Sequence, residues 1–117
     1  SLRRVLHSDG ELDPGQLSLD AACAVREGGP WGQGFPEPLF DGMFRIVEWR
    51  WLKDVHLRLQ LTTDDGRQIE AIAFNSEFTE PQPGQRVHIA YRLSVNDYFD
   101  DARLQLIVEH CTPFQAD

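Results

Sequence analysis

After Phe40 the apolar and polar residues alternate with a period of two, the signature of strands that bury one face. The pattern is cleanest in His56–Thr62, where Leu57, Leu59 and Leu61 alternate with His56, Arg58 and Gln60. Residues 86–95 repeat it, setting Val87, Ile89, Tyr91 and Leu93 against His88, Ala90, Arg92 and Ser94. Residues 42–52 read as a longer strand, with Phe44 and Ile46 on one face and Arg45, Val47, Trp49 and Trp51 on the other. Both of its faces carry apolar groups, so its inward side is open. Asp64-Asp65-Gly66 predicts a hairpin into a strand at 68–74, because Asp-Gly tolerates the positive φ of tight hairpins. Pro81, Pro83 and Gly84 make 75–85 a crossover loop with at most one short turn, at 76–80, and residues 104–110 give a fifth strand.

Before Phe40 the pattern is different. Val5 and Leu6 lie in a brief strand within residues 3–12, which ends at the turn Ser8-Asp9-Gly10. Ser18 is placed to cap a short helix whose Leu19, Ala22, Cys23 and Arg26 fall at helical spacing, and Gly28-Gly29-Pro30 stops it. Residues 30–42 then carry three prolines, three glycines, and Trp31, Phe35, Leu39 and Phe40. That mixture forbids regular structure yet must bury its aromatics, so it reads as an ordered strap over an apolar surface. The three-plus-two grouping of strands predicts an all-β fold: a five-stranded OB-type Greek-key barrel preceded by a short strand, one helix and a Pro/Gly-rich strap. Another small barrel or an open sandwich is the next choice. The division expected is 1–42 for the strand, helix and strap, and 43–117 for the barrel.

A chain of 117 residues accommodates one core. Its net charge of −8 argues against nucleic-acid binding, which normally rests on lysines and arginines that displace counterions. The distribution changes that picture. Arg45, Arg50, Lys53 and Arg58 with His56 cluster between residues 40 and 62, whereas Asp64, Asp65, Glu70, Glu77 and Glu80 follow with only Arg67 against them. Cys23 and Cys111 suit reduced thiols, and the lack of a long apolar run leaves no membrane partner, so a cytoplasmic protein is expected. His7, His56, His88 and His110 have no metal-ligand spacing. Glu109 and His110 point to opposite faces of a strand and cannot act as an acid and base pair; Cys111 fails beside His110 for the same reason, and a buried structural thiol is expected there.

The strap from Pro30 to Gly42, followed by Phe44-Arg45, His56-Leu57, Ala71-Ile72-Ala73-Phe74-Asn75, Ala90-Tyr91-Arg92-Leu93 and Val95-Asn96, resembles the C-terminal region of the RecJ family of bacterial single-stranded-DNA-specific exonucleases. The resemblance extends from Ser8-Asp9-Gly10-Glu11-Leu12 to Leu104-Gln105-Leu106. It implies an OB domain that follows a catalytic core and helps to hold single-stranded DNA, in a DNA-repair and recombination enzyme degrading strands from the five-prime end. The family's Asp-His-His motif and further aspartates, which bind manganese or magnesium, have no counterpart here. The segment is therefore expected to be no enzyme by itself and to bind no catalytic metal or other cofactor, the metal belonging to the parent enzyme. The abrupt start at Ser1 fits a segment excised from a longer chain.

OB folds hold single strands with positive charge for phosphates and aromatic faces for bases, on the middle strands and the loops after strands one and four. That selects His56 and Arg58 on the second strand and Arg50 and Lys53 where the first strand enters its loop, with Arg45 and Arg92 on neighbouring strands. Tyr98 and Phe99 are the candidates for stacking, although Asp97, Asp100 and Asp101 surround them. Trp49 and Trp51 either form a solvent-side platform or, as is favoured, pack beneath Phe35 and the strap. For every cation the competing reading is the solvated side of a sheet. A second function class fits the same barrel: an interaction or scaffold module that docks on the catalytic core or on a repair protein through its acidic groups.

Overall fold

The structure is a computed structural model that describes residues 8–32, 34–75, 81–97 and 101–113. Five strands form a closed barrel: β1 (Phe40–Leu52), β2 (His56–Thr62), β3 (Gln68–Ala73), β4 (Arg86–Asn96) and β5 (Arg103–Pro113). Their order around the barrel is β1-β2-β3-β5-β4, and β4 closes back on β1. All pairs are antiparallel except β3 with β5. This is the OB arrangement that the alternation and the resemblance both predict.

Closure makes one strand serve two partners. Residues Phe40 to Arg45 of β1 pair with β4, and Arg45 to Leu52 pair with β2. Just inside the second half lies a bulge: Ile46 faces Leu61 and Glu48 faces Gln60, so Val47 has no partner on β2 and is exposed. An extra residue reverses the alternation, so the inward set changes from Phe44 and Ile46 to Trp49 and Trp51. The two tryptophans therefore do not share a face with Arg45, as simple alternation predicts; both pack against the barrel core. The end of the crossover loop holds the bulge in place, with Gly84 N–H donating to Ile46 O at 2.7 Å and Ile46 N–H to Gln85 O at 2.9 Å.

The remaining strands follow their sequence pattern. Leu57, Leu59 and Leu61 from β2, Ile69, Ala71 and Ala73 from β3, Val87, Ile89, Tyr91 and Leu93 from β4, and Leu106 and Val108 from β5 are buried together. The predicted turn sits between Thr63 and Arg67, with Gly66 at φ +87°. Helix α1 (Leu19–Glu27) starts where Ser18 Oγ accepts from Ala21 N–H at 3.1 Å. Its Ala22, with Leu17 just before it, joins the barrel's inward residues in one cluster. The helix packs chiefly against β4.

Beyond α1 the strap is anchored at several points. Trp31 Nε1–H donates to Val25 O at 2.9 Å, and its ring lies over the helix end so closely that a Cβ on Gly28 would fall 3.1 Å from it. Trp31 also stacks on Phe35, their centroids 4.7 Å apart. Of the short strand expected near the start, Glu11 makes an isolated parallel bridge with Asp41, and residues 1–7 lie outside the described residues. The turn expected at 76–80 also lies outside them.

Ser8 and Asp9 fasten this entry segment to β1. Leu39 N–H donates to Asp9 Oδ2 at 2.8 Å, Ser8 Oγ donates to Asp41 Oδ1, and His88 Nε2 meets Asp41 Oδ2 at 2.7 Å. The Ser8 hydroxyl, and then the His88 ring, hold the Asp41 carboxyl below its ordinary value of 3.8. A carboxyl lowered on folding stabilises the fold above its unfolded value and loses that contribution as pH falls through the folded one. Asp41→Asn should therefore be less stable than the parent near neutrality, and the gap should close below about pH 4; urea midpoints taken across pH 2–7 test this. A gap independent of pH would remove the carboxylate from the account.

Candidate nucleic-acid interface

The bulge sets which cations face solvent on the β1–β2 surface. Beyond Val47, Arg50 points outward and sits directly opposite Arg58 of β2. Like charges placed opposite each other on one face destabilise a sheet, so the pair calls for a nearby anion. Glu70 of β3, the cross-strand partner of Gln60, supplies one and accepts from Arg58 at 2.8 Å. Arg50 has no hydrogen-bond or ion-pair partner among the described residues. The two arginines line a cleft of roughly 360 Å³ with Glu48, Trp49, Leu59 and Gln60.

One end of this surface carries aromatic and apolar groups. The β1–β2 turn places Lys53 and Asp54 in the left-handed region, at φ 53° and 61°, and leaves Val55 44% exposed. His56 Nδ1 accepts from Asn75 N–H at 3.0 Å, so a neutral ring carries its proton on Nε2. Phe74 meets the same ring edge-on, 5.2 Å between centroids at 75°, and is 53% exposed. Phe74 is the functional candidate that the sequence pattern did not single out. Its signal is parity: Ile69, Ala71 and Ala73 face inward, which turns Phe74 outward at the strand's end.

The structure thus gathers Arg50, Lys53, His56 and Arg58 on one side and places the other predicted cations elsewhere. Arg45 lies before the bulge, opposite Thr62 and Arg86, and donates to Gly84 O at 2.8 Å. Arg92 lies beyond β3 and β5 on β4 and is held twice, by Glu37 of the strap at 2.8 Å and by Glu109 of β5 at 2.5 Å. Tyr98 and Phe99 lie outside the described residues. Trp49 and Trp51 pack into the barrel and offer no exposed platform, while Phe35 stacks on Trp31 instead of covering them.

No three His, Cys, Asp or Glu side chains are grouped to hold a metal ion among the described residues. Burial pushes the Cys111 thiol up to about 11, which leaves it protonated and a poor nucleophile. No helix among the described residues is long and apolar enough to cross a membrane. The β1–β2 surface thus sets arginine side chains beside the exposed Phe74–His56 pair.

Comparison with known proteins agrees with this architecture. The family model described as the RecJ OB domain matches residues 8–110. The single-stranded-DNA-specific exonuclease RecJ of Dickeya dadantii (strain 3937) is 41% identical over 115 residues, covering 96% of this chain and 20% of the relative. The Escherichia coli (strain K12) protein of the same name is 38% identical over 109 residues, covering 91% and 19%. The chain thus spans about a fifth of the length of these relatives. Among solved structures, RecJ in complex with Mn2+ from Thermus thermophilus superposes with a TM-score of 0.69 at 24% identity, over 92% of this chain and 16% of that one. The Saccharomyces cerevisiae mitochondrial single-stranded DNA binding protein Rim1 gives 0.51 at 14% identity, over 68% of this chain and 95% of its own. At these identities the structural likeness establishes the fold.

The Arg92 geometry predicts a fastening role. Arg92→Ala should lower stability by about 1 kcal/mol, because it removes two half-exposed ion pairs and the packing of the long side chain. The same change should speed proteolysis of the strap near Glu37; an unchanged cleavage rate and denaturation midpoint would refute it.

Proposed function

The chain belongs to the RecJ OB-domain family, and from that membership we propose that it is the single-stranded-DNA-binding OB module of a RecJ-type exonuclease. The observation that carries the reading is the β1–β2 surface, where Arg50 and Arg58 face each other across strands beside the exposed Phe74–His56 pair. Arginines on one row can contact successive phosphates, and an exposed ring beside them offers a face on which a base can stack. Lys53 and Val55, at the tip of the adjoining turn, extend the same surface. Rim1, named for binding single-stranded DNA, superposes on this barrel, which supports the reading at the level of architecture.

The chemistry of cleavage lies elsewhere in the parent protein. The relatives are named as exonucleases, and the solved RecJ structures hold Mn2+ or Mg2+, so the reading includes a divalent metal as the parent's cofactor. The described residues of this chain offer no such site, and their part is to hold the strand while a catalytic core acts on its five-prime end. A cytoplasmic setting and a role in DNA repair and recombination accompany this reading.

A second reading has its own support. Phe35 is 55% exposed on the strap, stacked on Trp31, and this apolar pair suits contact with the catalytic core or a repair protein. The two readings use different surfaces.

Anisotropy of a labelled oligothymidylate, titrated across salt, tests the first. Reversal of both cations, Arg50→Glu with Arg58→Glu, should weaken binding at least about tenfold and flatten the salt slope by about 0.7 for each phosphate no longer neutralised. Phe74→Ser should cost about 1 kcal/mol or more of binding while leaving the slope unchanged, because stacking displaces no counterions. Equal slopes for the parent and the charge-reversed protein would overturn the assignment.

A further inference from the structure

Glu70 stands on the outer face of β3 with its side chain only 15% exposed, and it accepts from three strands at once. Its Oε2 takes Arg58 of β2 at 2.8 Å. Its Oε1 takes Gln105 Nε2 of β5 at 2.8 Å and Asn96 Nδ2, at the end of β4, at 3.4 Å. Both amides hold Oε1, whereas Oε2 relies on Arg58. The anchored Oε1 keeps the carboxylate in position, and departure of the guanidinium leaves Oε2 without its donor, which carries a cost.

An anionic oxygen held against a guanidinium is also what a nucleic-acid phosphate would present to Arg58. We propose that Glu70 is an internal phosphate mimic that restrains Arg58 and so sets the affinity of this face for single-stranded DNA. The inference rests on the reading of the β1–β2 surface as the DNA-binding face. While Glu70 holds Arg58, the pair has no net charge and adds little to counterion displacement. When a phosphate takes the guanidinium, Glu70 keeps its two amide donors on Oε1 while Oε2 gives up Arg58, and that cost opposes the exchange. The low exposure of Glu70 keeps it from competing with the strand by direct contact, and its effect runs through Arg58. A brake of this kind gives a weak, exchangeable grip.

The test is a two-by-two set in the 117-residue chain: the parent, Glu70→Gln, Arg58→Ala and the double variant, each titrated with labelled oligothymidylate across salt. Glu70→Gln should bind about three- to tenfold tighter at low salt, with a slope steeper by about 0.7, because one more cation displaces counterions. The gain should vanish when Arg58 is alanine. An equal gain in both backgrounds would show a general charge effect and overturn the proposal, as would no gain or a loss. Binding by the parent with no response to Glu70→Gln removes the brake alone. Absence of binding by both the parent and Glu70→Gln removes the DNA-binding reading as well. Should Glu70→Gln melt early, the Arg58 guanidinium resonances of the parent chain provide a second readout. They should shift on adding the oligonucleotide, and resonances that stay in place through saturation would overturn the exchange.

Discussion

The structure depends on β1 serving two neighbours with one run of residues. A closed barrel leaves no free edge, so the first strand must pair with β4 through its first half and with β2 through its second. The twist needed to turn from one partner to the other is taken up at Val47, whose insertion reverses the inward parity. Trp49 and Trp51 enter the core by this step. Arg50 is turned to solvent opposite Arg58 by the same step, so the packing of the barrel and the charge of its surface share one origin. Gly84 and Gln85, which bond to Ile46, show that the long crossover before β4 also serves to hold the bulge.

An acidic chain with a nucleic-acid surface poses an electrostatic problem, and its solution lies in what each arginine meets. Arg45 donates to the Gly84 carbonyl, Arg67 to the Pro14 and Leu17 carbonyls, and Arg92 to Glu37 and Glu109. These side chains fasten loops, the segment before the helix, and the strap. On the β1–β2 surface this leaves Arg50, Lys53, and an Arg58 shared with Glu70 to meet a ligand. Net charge therefore misstates the field at the β1–β2 surface, because most of the acids lie outside that row and several cations are engaged in holding the fold.

The strap shows a different division of labour. Its Trp31 caps the end of α1 and its Glu37 reaches Arg92, so its irregular backbone is held by hydrogen bonds and ion pairs and only partly by burial. A Cβ at Gly28 would press on the Trp31 ring and require it to shift. These requirements fix a residue order along a stretch with no periodicity, which is why the stretch carries the family resemblance so well. The DNA-facing groups lie after it, on strands whose pattern is common to many small barrels.

By itself the sequence determined the features that depend on neighbours in the chain. The parity of β2 and β4, the Asp-Gly hairpin, the Ser18 cap and the order of the strap are local, and the three-plus-two grouping of strands points from them to a small closed sheet. The resemblance legible in that order identified the domain. Tertiary structure decided the face of Trp49 and Trp51: apolar groups on both faces of β1 leave its inward side open in the sequence, and the bulge that settles it is a mismatch between two strands. It likewise decided that Arg58 meets Glu70, that Arg92 meets Glu37, and that Phe74 meets His56. Those partners lie 12 to 55 residues apart: pairing of β2 with β3 brings the first and third within reach, and the course of the strap past β4 the second.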